Sequence, residues 1–124
     1  VLGDLAMNHI IPVATAYQSR LIDNVFKMRQ LFPADKADEL SIENTKLIEE
    51  ISQRTIFITN HVRAMVDARK VANKIESEHD KAIAYHDTVA PKMEEIRYQI
   101  DKLELIVEDD LWTLPKYREL LFIR

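Results

Sequence analysis

The sequence predicts an all-α fold, an elongated antiparallel bundle of three long helices with a short C-terminal helix. Two observations carry that expectation. Among 124 residues there is a single glycine, Gly3, so the Asn-Gly and Asp-Gly hairpin turns of most β architectures are excluded. Apolar residues also recur at steps of three and four over nearly the whole chain, which is the period of one face of an α-helix.

The first stripe is Ile10, Ala14, Tyr17, Leu21, Val25, Met28 and Phe32, within a helix expected over about 4–32. Asp4 is placed as its N-cap. Pro12 predicts a kink, or a helix proper that starts there, and Pro33 ends the segment.

Asp35 then reads as the next N-cap, with Asp38 as its capping-box partner. The second stripe is Leu40, Asn44, Leu47, Ile51, Thr55, Ile58, Val62, Met65, Arg69 and Ala72, widened by Ile48 and Val66. A helix over about 36–76 would be roughly 60 Å long. The turn that follows is assigned to Glu76–Asp80, where Ser77 and Asp80 form a further capping pattern.

Ala82, Tyr85, Val89, Met93, Ile96, Ile100, Leu103 and Val107 make the third stripe, over about 78–107. Pro91 falls inside it and predicts a kink or break, because it cannot bond the Asp87 carbonyl. A short helix over about 115–122 follows Glu108-Asp109-Asp110, with Pro115 suited to its first turn. The tail is more apolar than a solvated end requires. It either caps the bundle's own end or faces a partner or the rest of a longer chain.

Composition removes several function classes. The chain carries 47% hydrophobic and 31% charged residues and a net charge of −4, with acids and bases interspersed. No basic run suits a phosphate backbone, so no nucleic acid partner is expected. Arg63, Arg69, Lys70 and Lys74 cluster modestly, but no aromatic residue interleaves for base stacking. With no cysteine there is no thiol nucleophile, disulfide framework or thiolate metal site. The lone glycine excludes a phosphate-cradling loop. No apolar run approaches the length of a membrane span, and no signal peptide is legible, so a cytoplasmic location is expected. The length suits one helical domain, 1–124, and the start at Val1 reads as that of a fragment of a larger chain.

The candidate chemistry is thin. Glu76 and His79 form a Glu-x-x-His pair, with His86 seven residues on. A di-metal bundle needs two such pairs plus inward carboxylates, and no Glu stands three residues before His9, His61 or His86. The pair is therefore read as a solvated polar corner, and no metal, cofactor or catalytic residue is assigned. Ser19, Ser41, Ser52 and Ser77 lack the exposed turn of a nucleophile and are read as surface or capping serines. Glu49-Glu50, Glu94-Glu95 and Asp109-Asp110 are adjacent acids that point apart on a helix.

One further observation concerns the order of whole blocks. Tyr98-Gln99-Ile100-Asp101-Lys102-Leu103-Glu104-Leu105-Ile106-Val107 runs into Asp110-Leu111-Trp112 and then Leu114-Pro115-Lys116-Tyr117-Arg118-Glu119-Leu120-Leu121-Phe122. Upstream lie Asn8-His9-Ile10-Ile11-Pro12, Tyr17-Gln18, Ala68-Arg69-Lys70, Ala72-Asn73 and Lys81-Ala82-Ile83-Ala84-Tyr85. In type and spacing these blocks resemble the carboxyl-terminal region of type III glutamine synthetases, the large bacterial form of that ligase. The resemblance is densest from about residue 81 onward and weakest between about 33 and 62. It implies a parent chain that joins ammonia to glutamate, using ATP and a divalent metal (Mg or Mn), in a homo-oligomer. Because the family's catalytic motifs lie upstream, it implies no catalysis by this segment, whose role would be packing, assembly or regulation. Trp112, Leu114, Tyr117, Leu121 and Phe122 are the residues it suggests for contact with the parent chain and its catalytic domain. The alternatives are a free-standing helical interaction module and, more remotely, a metal-carboxylate bundle.

Overall fold

The structure is a computed structural model that describes residues 2–107. The expected helix over 115–122 and the tail contacts at Trp112, Leu114, Tyr117, Leu121 and Phe122 lie outside these residues. The fold is all-α, and the described residues contain no strand. Its elements are α1 (Leu2–Leu5), a π-helical turn (Ala6–Ile10), α2 (Ile11–Leu31), α3 (Ala34–Leu40), α4 (Ile42–Asn73), α5 (Glu78–Ala84), a second π-helical turn (Tyr85–Val89) and α6 (Ala90–Val107). Helix follows helix without interruption from α1 through the first π-turn into α2, and from α5 through the second into α6. The result is three long rods, with α4, of 32 residues, running about 48 Å.

Pro91, expected to kink or break its helix, follows a widened turn, and so does Pro12, beside which α2 starts at Ile11 as one of its two expected outcomes. Pro12 and Pro91 are each the second residue of an α-helix that follows a π-turn. The Ile11 amide donates to the Ala6 carbonyl, and the Ala90 amide donates to the Tyr85 carbonyl, five residues back in each case. In α-helical register the carbonyl four residues back would meet the proline ring, and widening the turn relieves that clash. At the second turn the Thr88 hydroxyl donates to the Ala84 carbonyl at 2.6 Å, and Lys92 Nζ reaches the Thr88 carbonyl at 3.2 Å.

The helix ends depart from expectation in three places. Asp4 lies inside α1, which begins at Leu2. Asp35 is no N-cap: α3 starts at Ala34 directly after Pro33, and Asp35 Oδ1 accepts from the Lys36 amide at 2.9 Å. Its expected partner Asp38 accepts a hydrogen bond from Arg29 at 2.6 Å instead. The rod expected over 36–76 is interrupted at Ser41, whose backbone leaves helical geometry at φ −101°, ψ 7°. The Ser41 hydroxyl donates to the Ala37 carbonyl at 2.7 Å, a local bond of the kind that competes with helix continuity. Ser77 does cap α5, accepting from the Asp80 amide at 3.3 Å. Extended backbone at Phe32 (φ −117°, ψ 156°) ends α2, the conformation that a following proline favours.

The core runs along the axis between the three rods. Ala6, Ile10, Ala14 and Leu21 come from the first rod, Ile51, Ile58, Val62 and Met65 from α4, and Val89, Ile96, Ile100, Leu103 and Val107 from the third. Ile51, Ile58, Ile96 and Leu103 are fully buried. Leu40, Arg69 and Ala82, placed in the stripes by spacing, are exposed. Gly3 sits against α4: a Cβ built there would meet Val62 Cγ1 at 3.3 Å, so the absence of a side chain lets α1 approach closely.

Candidate interaction surface

The polar bonds between rods set their register. Gln18 Nε2 donates to the Ile48 carbonyl at 2.8 Å and to Ser52 Oγ at 2.7 Å, tying α2 to α4. Arg54 Nε donates to Glu50 at 2.9 Å, and its Nη1 donates to Gln99 Oε1 at 2.7 Å, tying α4 to α6. Beyond Ser41, Arg29 pairs with Asp38 and binds α2 to α3. Residue numbers fall on one rod as they rise on the next, so neighbouring rods run antiparallel. Tyr85 O–H donates to Asn73 Oδ1 at 2.8 Å and spans the connection from α4 to α5. Spacing on one helix does not reveal such cross-rod partners. Polar residues at stripe edges, such as Gln18 and Ser52, were the available signal.

The side chains that could have carried chemistry do not converge. His9 and His79 are exposed, and His86 is exposed beside Asp87 at 3.2 Å. His61 is half-buried and stacks on Phe57, with ring centroids 3.8 Å apart and planes inclined by 16°. Its Nδ1 lies 3.1 Å from the Phe57 carbonyl. Glu76 lies outside the helices, in the connection before α5. No group of three or more metal-ligating side chains comes together among the described residues. Ser52 and Ser77 accept hydrogen bonds from Gln18 and Asp80, while buried Ser41 bonds its own chain. Arg63, Arg69, Lys70 and Lys74 are exposed on or just after the second half of α4.

The surface has shallow concavities. One of about 310 Å³ is lined by Tyr17, Arg20, Leu21, Asp23, Asn24 and Lys27. Another, of about 240 Å³, lies beside Glu50, Gln53, Arg54, Phe57 and Gln99, where the Arg54 guanidinium is already engaged by its two partners. No described helix is long and apolar enough to cross a membrane. Exposed apolar side chains occur on every rod, among them Leu31 at 75%, Leu105 at 66%, Val71 at 65%, Phe26 at 63% and Ile56 at 60% exposure.

No family-level sequence model matches the chain. Two relatives do. One is a glutamine synthetase of Bacteroides fragilis (strain YCH46), 49% identical over 124 residues, which are all of this chain and 17% of the relative. The other is a type-3 glutamine synthetase of Dictyostelium discoideum, 28% identical over 123 residues, 99% of this chain and again 17% of the relative. The chain therefore spans about a sixth of the length of each. Over its whole length, this chain is a relative of a C-terminal segment of the type III glutamine synthetases.

Proposed function

We propose that the chain is the helical packing and assembly segment of a type III glutamine synthetase, with a regulatory role open to the same surface. The observation that carries this reading is 49% identity over every residue of the chain, matched to only 17% of the relative. The parent polypeptide ligates ammonia to glutamate with ATP and a divalent metal, Mg or Mn, in the cytoplasm, as a homo-oligomer. The segment performs none of that chemistry. Its inward apolar stripes and its cross-rod bonds at Gln18 and Arg54 hold helices together. Trp112, Leu114, Tyr117, Leu121 and Phe122 supply contact with the parent's catalytic domain or with neighbouring subunits.

The test begins in the native source. An antibody raised against residues 1–124 captures the native polypeptide, which is then assayed for ATP-dependent glutamine formation from glutamate and ammonia. The expected result is an active chain much larger than the 14.5 kDa of this sequence. Capture of an inactive chain of about that mass would overturn the proposal in favour of a free-standing interaction module.

A further inference from the structure

The chain crosses from the second rod to the third between Asn73 and Tyr85. Asn73 is the last residue of α4, and Tyr85 is the first of the second π-turn. The Tyr85 hydroxyl donates to Asn73 Oδ1 at 2.8 Å, so the two ends of the crossing meet. Between them lie eleven residues, 74–84, comprising the connection and all of α5.

Burial separates these eleven from the rods on either side. Ala72, just before them, is 1% exposed, and Val89, just after them, is 3% exposed. None of residues 74–84 is buried: Ile75, Lys81 and Ala84 are half-buried, and the rest are exposed. Their printed polar bonds are local. Ser77 Oγ accepts from the Asp80 amide at 3.3 Å, and the Ser77 carbonyl accepts from the Lys81 amide at 2.9 Å. Lys81 and Glu78 pair at 3.7 Å, with the Glu78 side chain 90% exposed, so water screens the pair. At seven residues α5 is shorter than a helix that persists alone in water. It joins α6 only across the π-turn, where the Ala90 amide reaches back to Tyr85. The α-helical ladder that would make α5 and α6 one cooperative unit is interrupted there.

We propose that residues 74–84 form a strap that opens as a unit while the three-rod core stays packed, latched at its base by the Tyr85–Asn73 bond. Opening takes no side chain out of the core, because none of these residues belongs to it. What is given up is two turns of helix, one cap and one screened pair. Local opening of this kind costs far less than global unfolding. The strap is thus a conformational device at one end of the bundle. A contact made there can order or release it without disturbing Ile58, Ile96 or Leu103. The strap follows from burial and bonding in this chain and is independent of the ligase reading.

Native-state hydrogen exchange of the 124-residue chain tests it. Relative to their unstructured rates, the amides of Lys81, Ala82, Ile83 and Ala84 should exchange at least about a hundredfold faster than those of Ile100 and Leu103. Low urea should leave the four unchanged while it speeds the two core amides, because local opening exposes little surface. Tyr85→Phe keeps the ring and removes the latch, and should speed the four amides about fivefold with Ile100 and Leu103 unmoved. Asn73→Ala, at an exposed position, should do the same. Protection of the four equal to that of the core, or the same rise with urea, would overturn the proposal. So would exchange unmoved by both substitutions, or an equal acceleration of Ile100 and Leu103.

Discussion

At the scale of the residue, the side chains that matter most for register are polar and sit at the edges of the apolar stripes. Gln18 is the clearest. Its amide nitrogen donates twice across the α2–α4 interface, at 2.8 and 2.7 Å, in a part-buried setting. The Ile48 carbonyl belongs to a helix and keeps its intrahelical donor, and Ser52 can turn its hydroxyl elsewhere, so removing Gln18 strands no buried charge. We expect Gln18→Ala to cost about 1 kcal/mol, the usual net worth of a hydrogen bond in water. The midpoint of urea unfolding should fall at unchanged slope. In a double-mutant cycle with Ser52→Ala, a coupling near zero would show that the pair contributes nothing. Arg54 is different in kind. Its side chain is 23% exposed and its partner Glu50 40%, so the ion pair itself is screened and worth little. Its value lies in the bond to Gln99, which aligns α6. None of these partners was legible from spacing, because periodicity on one helix says which face is inward and not which residue waits opposite.

At the scale of the element, the stripes were legible and the responses to proline were not. Ile10, Ala14 and Leu21, then Ile51, Ile58, Val62 and Met65, then Val89, Ile96, Ile100 and Leu103 all lie where a 3.6-residue period puts them. A proline announces that an amide is missing and a carbonyl is crowded. Whether the helix breaks, kinks or widens is decided by what the rest of the rod packs against. Here Val89, within the second π-turn, is 3% exposed, and Tyr85 at its start bonds Asn73 across the connection. Closing that turn to α-helical register would rotate everything upstream by about 100° and break both arrangements. Tertiary packing, in addition to the crowding at the proline, thus holds the turn open. Pro91→Ala is therefore expected to leave the π-turn in place and to change stability by less than about 1 kcal/mol. Proline placed at exposed Arg97, in the α-helical part of the same rod, should cost about 3 kcal/mol or more. Thermal unfolding of the two variants separates the cases. Equal losses would mean that α6 has no special tolerance at its first turn. Ser41 carries the same lesson: its hydroxyl bond to Ala37 lies where the backbone leaves helical geometry, at a position that the apolar spacing did not mark.

At the scale of the whole molecule, three antiparallel rods place one layer of core after another along a single axis, and the middle layers carry the stability. The bundle was legible because one glycine, four prolines and three unbroken stripes leave few other solutions. The candidate surface was less so. The apolar tail was evident in Trp112, Leu121 and Phe122, but the levels at which residues of neighbouring rods meet were not. That depends on the Arg54–Gln99 register, a three-dimensional fact. The same register makes a prediction for the middle of the bundle. Ile96 lies level with about residue 57 of α4, beside Ile58, and both are fully buried. Truncating either to alanine removes its transfer free energy and leaves a cavity that packed neighbours fill only in part, a cost of about 2–5 kcal/mol. Against the roughly 5–15 kcal/mol that holds a typical domain folded, one such change removes a large share. Two cavities at one level merge, so the double variant should lose measurably less or more than the two single losses together, with a non-additive part of about 0.5 kcal/mol or greater. Chemical denaturation of Ile58→Ala, Ile96→Ala and the pair measures it. Strict additivity would place the two residues in separate layers and shift the register of α6 along α4.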